Sequence, residues 1–296
     1  MKIVNVIGGL GNQMFQYAFA LSLKAKFPNE DILIDTQHFN YLFLKKYKSC
    51  NLHNGYEINK VFKNASLPIA SRKELRLVTR YIPNYLLSRV ARRLLAKKNT
   101  EYVEEKNYMF YPEVYEFQGS CYYEGYWQSV KFHELSKEVI RKEFSFGYPN
   151  TYNFKVEEQI AASSSVGIHV RRGDYLLDPE YKGICDLDYY KRAIEKLGVK
   201  DKTFFIFSND IQWCKDNLLN ILSHSSDVVF VDGNKGKDSP WDMYLMSKCE
   251  YLIIANSSFS WWGAFLNENV KTVIAPKTWI NRDYEIDVYM DNWIKV

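Results

Sequence analysis

Cysteine is scarce and unpaired in this chain of 296 residues: Cys50, Cys121, Cys185, Cys214 and Cys249 are scattered, odd in number and free of any Cys-x-x-Cys pair. That excludes a disulfide framework and a zinc site, and a reducing cytoplasm is the compartment that fits. No run of about 18 apolar residues is present, so no bilayer-spanning helix is expected. The apolar start carries Asn5 and a glycine turn and lacks a small-residue cleavage pattern, so it does not read as a signal peptide. Charge of one sign is not in excess either. Thirty-nine Lys and Arg stand against 35 Asp and Glu, a net +4 that gives no reason to expect nucleic acid as a partner.

What is present is globular. With 47% hydrophobic and 25% charged residues, disorder and fibrous repeats are excluded, and the length suits two domains of roughly 150 residues each. The 23 Tyr and 18 Phe could stack on sugars, but aromatic rings fill cores more often, so the count alone carries no functional weight.

The first motif is defined by a missing residue. After the apolar run Ile3 to Ile7, Gly9-Leu10-Gly11-Asn12-Gln13-Met14 offers two glycines of a dinucleotide fingerprint, but Met14 occupies the third position, where close helix-strand packing needs glycine. Asp35 lies roughly where a ribose-binding acid would be expected. A nicotinamide cofactor is therefore a reading to be argued against.

Between Arg72 and Lys98 nine basic residues stand against the single acid Glu74. Within that segment Leu86, Val90 and Leu94, with Leu87 and Ala91 beside them, follow helical spacing and leave the arginines on another face. Two readings of this basic amphipathic helix stay open: a solvated helix covering its domain, and a peripheral contact with anionic lipid.

Short buried strands are expected at 3–7, 32–35, 166–170, 203–207, 228–232, 251–255 and 272–275. Helices are expected at 189–197, capped by Gly198, and at 241–249 and 258–266. Apolar strands alternating with helices of about ten residues mean parallel sheet and a doubly wound α/β fold. The stretch 148–165 is the best hinge, and the last residues, from Trp279, are read as a helix packing back.

Three segments could carry chemistry. The strand Ser165-Val166-Gly167-Ile168-His169-Val170 delivers His169, Arg171 and Arg172 to its carboxyl end, where open α/β sheets bind ligands, and Asp174 follows. Arginine offers a permanent charge and a rigid donor fork to phosphate; the alternative for Arg172 is an ion pair with Asp174. In Asn256-Ser257-Ser258-Phe259-Ser260 a strand runs into a helix whose first turn holds more hydroxyls than one cap requires, in a place that favours an anion. Ser208-Asn209-Asp210 ends a further strand. Asp186-Leu187-Asp188 has an Asp-x-Asp form able to hold a divalent ion, but its position before a helix makes Asp188 an N-cap, so no metal is implied.

At these residues the chain resembles the bacterial α-1,2-fucosyltransferases of glycosyltransferase family 11, the family that also contains the blood-group H enzymes. The matching pieces are IGGLGNQMFQYAFAL at the start, EGYWQS at 124–129, HVRRGDY at 169–175, FFIFSND at 204–210, and WDMYLMSKC with IIANSSFSWWGAFLN across 241–267. They run in order along nearly the whole chain.

The resemblance implies a GT-B fold: two Rossmann-like lobes with the active site in the cleft between them. Residues 1–155 would form the acceptor-side lobe and 156–296 the donor lobe. The implied reaction moves L-fucose from GDP-β-L-fucose to the 2-hydroxyl of a terminal galactose, with inversion and with no metal or other cofactor. Arg171 would bind the β-phosphate; Arg172, Asp174 and Asn256 belong to the same donor site, and Ser257 and Ser258 would add donors to the pyrophosphate. His169 and Asp242 would contact guanine, and Asn209 and Asp210 would lie near ribose or base. The loop with Gly9, Gly11, Asn12 and Gln13 would face the donor across the cleft. No spacing marks a general base; Asp174, Glu124 and His38 are the candidates. The acceptor would be a galactose-terminated glycan, lipid-linked in O-antigen or capsule synthesis, at the inner face of the cytoplasmic membrane.

Overall fold

The computed structural model describes residues 1–40, 54–95, 100–105, 107–198, 201–222 and 227–296. Cys50, Lys97 and Lys98 lie outside them. The described cysteines are free thiols. The chain forms two compact units: Met1–Phe146 with Glu285–Tyr289, and Gly147–Tyr284 with Met290–Val296. The division thus falls just ahead of the helix at Thr151–Ala161.

The first unit contains β1 (Lys2–Asn5), α1 (Leu10–Lys26), β2 (Ile32–Asp35), α2 (Ile58–Val61), α3 (Arg72–Val78), α4 (Tyr85–Leu94), β3 (Thr100–Glu104), β4 (Ser120–Glu124) and α5 (Lys137–Glu143). Its sheet has the order β2-β1-β4-β3, all parallel. Strand order reverses between β1 and β4, so their carboxyl ends frame the crevice where such sheets take ligands. Asp35 ends β2 buried, accepting hydrogen bonds from the Tyr122 hydroxyl (2.7 Å) and the Gln37 amide (2.8 Å). Burial raises its pKa. An acid spent this way cannot serve a ribose, which removes the support for a nicotinamide site.

Helix α4 corrects the ordinary expectation for an amphipathic helix. Its buried side is Tyr85, Ser88, Ala91 and Arg92: Arg92 is 3% exposed, lies over the Tyr122 ring at 4.5 Å and reaches Glu124 at 3.5 Å. Arg89 also pairs with Glu124, and Arg93 with Glu104. Leu86, Leu87, Val90 and Leu94 are exposed instead. Turning the helix over would strand the buried carboxylate of Glu124, a loss of about 3–5 kcal/mol.

The second unit contains α6 (Thr151–Ala161), β5 (Ser165–Val170), α7 (Leu187–Leu197), β6 (Thr203–Ser208), α8 (Ile211–Asn217), β7 (Asp227–Val231), α9 (Pro240–Met246), β8 (Tyr251–Ile253), α10 (Ser258–Phe265), β9 (Thr272–Ala275) and β10 (Ile294–Lys295). The parallel sheet runs β10-β9-β8-β5-β6-β7, the doubly wound order in which the chain builds outward from β5, first one way and then the other. Its switch point lies between β5 and β8. Val166, Ile168 and Val170 point to the core face shared with Tyr189, Tyr190 and Ile253.

The terminal stretch is not a helix. It has no apolar repeat near 3.6 residues, and it runs irregularly until β10 pairs with β9. On the way Asp287 joins the first unit, accepting from the Phe110 amide at 3.2 Å and from Lys131 at 3.1 Å.

Candidate active site

In the second unit the segments singled out in the sequence gather along one edge. His169, Arg171 and Arg172 leave β5; Asn209 and Asp210 leave β6; Asn256, Ser257 and Ser258 leave β8; Asp242 lies in the first turn of α9. Adjacent tyrosines of α7 pin the two strands that bound the switch point: Tyr189 donates to the Ile254 carbonyl (2.5 Å) and Tyr190 to the His169 carbonyl (3.0 Å).

Side chains at that point converge. The His169 ring packs against Phe259 of α10 at 5.8 Å. Its Nδ1 is buried without a hydrogen-bond partner among the described residues. Burial, reinforced by the charge of Arg171, pushes its pKa down to about 3, so the imidazole is neutral at physiological pH. Arg171 pairs with Asp174 at 2.9 Å and lies over the Tyr175 ring at 5.3 Å, while its buried Nε donor is unused among the described residues. The Tyr175 hydroxyl lies beside Ser257, and burial raises its pKa to about 12. Arg171, Tyr175 and Ser257 thus form one cluster at the N-terminus of α10, where the helix dipole and unpaired N–H groups favour an anion. Ser257 itself caps the helix, accepting from the Phe259 amide at 3.3 Å.

The arginine partners differ from the expected ones. Asp174 pairs with Arg171, whereas Arg172 pairs with Asp210 at 3.1 Å and stacks on Trp213 at 4.1 Å. Alternation explains this: Arg172 points to the opposite side of the strand end from Arg171. Asn209 works as a stitch, accepting from the Arg172 amide (2.9 Å) and donating to its carbonyl (3.2 Å). Gly173 permits the stitch: its φ is +67°, and a Cβ there would sit 2.9 Å from the Asn209 amide nitrogen. Asn256 is buried, donating to the Trp279 carbonyl at 3.1 Å and accepting from the Cys185 thiol at 3.4 Å. Asn209 and Asn256, assigned to the donor from sequence, are therefore engaged in shaping its loops.

Asp242 has a different set of partners. It accepts from Asn234 at 2.8 Å, and burial raises its pKa to about 7. Asn234 in turn is bonded to Asn153 of α6 at 2.7 Å. The N-cap of α7 is Asp186, which accepts from the Tyr189 amide at 2.8 Å; Asp188, expected as the cap, lies two residues on, in the first turn. The side chain of Asp186 is the one that can reach that amide from an extended backbone position. Among the described residues no group of three or more His, Cys, Asp or Glu is placed to hold a metal.

The first unit carries its own cluster at the β1/β4 switch point. Gly8 has φ +80°, and a Cβ there would meet the Asn12 side chain at 3.1 Å. Gln13, expected to reach the donor, is instead buried with its amide committed: it donates to the Gly8 and Gly55 carbonyls at 2.9 and 2.8 Å and accepts from the Glu57 amide at 2.9 Å. It is a staple for the glycine loop. Gly9 stands at the N-cap of α1 and Gly11 is buried within its first turn. Asn12 accepts from Gln128 at 3.0 Å, which joins the glycine loop to the EGYWQS segment.

Sequence reasoning passed over one acid there. Glu105 follows β3 and accepts from the amides of Tyr126 (2.6 Å) and Trp127 (3.0 Å). Burial raises its pKa to about 7. Trp127 has φ +56°, a left-handed conformation uncommon for a bulky side chain, and Glu105 holds the turn in place. Of the candidate bases, Glu124 is enclosed by Arg89, Arg92 and Arg93, Asp174 pairs with Arg171, and His38 packs edge-on against Tyr85 at 4.9 Å. None is marked as the base.

Two parallel sheets, each with its polar cluster at the carboxyl edge of a switch point, define a pair of Rossmann-like units of the GT-B glycosyltransferase class. The chain belongs to glycosyl transferase family 11, whose description it matches across residues 1–296. It is 33% identical over 99% of its length to an Escherichia coli alpha-1,2-colitosyltransferase, covering 98% of that protein. It is 28% identical to the E. coli O-antigen biosynthesis glycosyltransferase WbnK, with 98% of both chains covered. A shorter match, 35% identical over 34% of this chain and 28% of the relative, is to human galactoside alpha-(1,2)-fucosyltransferase 1. Among solved structures the fold is similar to the α-1,6-fucosyltransferase NodZ soaked with GDP-fucose, with a TM-score of 0.50, 14% identity and 93% and 94% of the two chains covered. It is also similar to an Arabidopsis thaliana FUT1 mutant in complex with GDP, with a TM-score of 0.50, 13% identity and 95% and 72% covered.

Proposed function

We propose that the protein is a galactoside α-1,2-fucosyltransferase, moving L-fucose from GDP-β-L-fucose to the 2-hydroxyl of a terminal galactose with inversion at the anomeric carbon. The observation that carries this reading is the juxtaposition of Arg171, Tyr175 and Ser257 at the N-terminus of α10, at the sheet's switch point. Breaking the bond between the sugar and the β-phosphate leaves negative charge on the diphosphate and an oxocarbenium-like sugar. Donors already aimed at that charge are usually the largest catalytic contribution. In this reading Arg171 meets the β-phosphate and the first turn of α10, with Ser258, meets the remaining oxygens. Cationic and dipolar donors together neutralise the leaving group, so the reading needs no divalent ion. Neutral His169 and the carboxylate of Asp242 complement guanine. The acceptor is a galactose-terminated glycan, and the O-antigen biosynthesis named for WbnK supports a lipid-linked repeat unit as its carrier.

The colitosyl name of the 33% identical relative supports a second donor. Colitose is fucose without its 3-hydroxyl. A site that hydrogen-bonds that hydroxyl would reject colitose by roughly 10⁴, whereas an apolar site would discriminate weakly. The test offers GDP-fucose and GDP-colitose separately with a β-galactoside and a chelator, and reads the product linkage by NMR. An α-1,2 fucoside is expected; exclusive use of GDP-colitose replaces the donor, and another linkage overturns the reading.

A further inference from the structure

Among the described residues no element packs over the outward apolar side of α4. Leu86, Leu87 and Val90 are 50 to 54% exposed and Leu94 is 76% exposed, although they recur at the three- and four-residue spacing that normally faces a core. A ridge of this kind is a marked feature on a folded surface. The exposed charged side chains of the preceding helix, α3, are basic. Arg80 donates to the carbonyl of Leu95 at 3.3 Å, so the segment that follows α3 meets the end of α4, and Arg72, Lys73 and Arg76 on α3 are exposed. The only acid in the segment, Glu74, is taken up in a capping box with Ser71.

We infer that this face docks on an anionic lipid surface. The apolar side chains would enter the boundary between head groups and acyl chains, and the flanking cations would pair with lipid phosphates. A second copy of the chain fits less well, because a two-fold contact brings a patch onto itself and would set those cations against their like. Among the described residues no helix is long and apolar enough to cross a membrane, so the contact is peripheral. It would hold the first unit beside a lipid-borne acceptor, but it stands on the geometry of α3 and α4 and not on the donor assignment.

The test is co-sedimentation of the full chain with vesicles of phosphatidylcholine alone or mixed with phosphatidylglycerol, at low and high salt. The protein is expected to partition onto the phosphatidylglycerol vesicles and to be released by salt. The combined variant Leu86→Ser, Val90→Ser, Leu94→Ser and the charge-reversed Arg76→Glu, Arg80→Glu should each lower partitioning by roughly tenfold or more. Circular-dichroism melting curves of the same samples should be unchanged and report their folding; GDP binding, measured separately, reports the fate of the donor reading. A wild type that stays in the supernatant, or variants that partition as the wild type does, overturns the inference. So does a wild-type dimer that the triple serine variant converts to monomer.

Discussion

Arg171→Ala should lower transfer by about 10² to 10³ in kcat while the protein remains folded. The side chain sits at the end of a fully buried strand, yet its contacts lie beyond the core: Asp174, the face of Tyr175 and an unused Nε donor. An exposed ion pair of this kind contributes at most about 1 kcal/mol to stability, so truncation should leave the melting temperature nearly unchanged. Lysine should rescue poorly, since it keeps the charge but loses the planar fork. The check is kcat and KM for wild type, Arg171→Ala and Arg171→Lys, with melting curves for each. Full activity in a folded alanine variant would remove Arg171 from the chemistry.

The second expectation concerns Asp242. In the free protein burial holds this carboxyl at about 7. To accept hydrogen bonds from the guanine ring it must be ionised, so GDP affinity should rise with pH and level off above neutrality. A single group at that value predicts roughly a tenfold loss between pH 8 and pH 6. The sign for stability is the opposite. A carboxyl raised from its ordinary 3.8 takes up a proton in the folded state first, so its contribution is complete below about 4 and is lost as pH rises through about 7. Apo stability and GDP affinity should therefore move in contrary directions over this window. Asp242→Asn should abolish the pH dependence of binding and weaken GDP by roughly 10- to 100-fold, the worth of a charge-assisted hydrogen bond. Titration calorimetry at pH 6, 7 and 8 reads both effects; a wild-type profile that is flat across this range would dissociate Asp242 from guanine.

The second unit was legible because its central strands, β5 and β6, are buried on both faces and so appear as continuous apolar runs between helical periods. The ends of those runs pointed to the residues that the switch point gathers. In the first unit β3 and β4 left no such trace. The sequence of β3, Thr-Glu-Tyr-Val-Glu, is that of a half-exposed edge strand, and β4 ends in Glu124, whose burial makes sense only beside three arginines distant in sequence. The same arginines explain α4. Periodicity gives the axis of an amphipathic helix but not which side faces in, and here a carboxylate on the neighbouring strand decides it.

Within the site, sequence identified the positions better than the roles. Gln13, Asn209 and Asn256 sit where they were expected, but their amides hold loops in shape. Which of two polar groups binds a ligand and which braces the backbone depends on hydrogen-bond partners contributed from elsewhere in the chain. Tyr175, Tyr189 and Tyr190 were passed over for the converse reason. A tyrosine in an apolar pattern reads as core, and only the structure shows that the Tyr189 and Tyr190 hydroxyls tie strand ends together.

The most direct test of the central claim is a thermal-shift panel of GDP, GDP-fucose, UDP, ADP and NAD with a chelator present throughout. A ligand at about a hundred times its dissociation constant adds roughly 2.7 kcal/mol, which moves the midpoint of a unit of this size by several degrees. The account predicts a shift with GDP and GDP-fucose alone, reduced by Asp242→Asn. A shift with UDP or NAD in their place would contradict it.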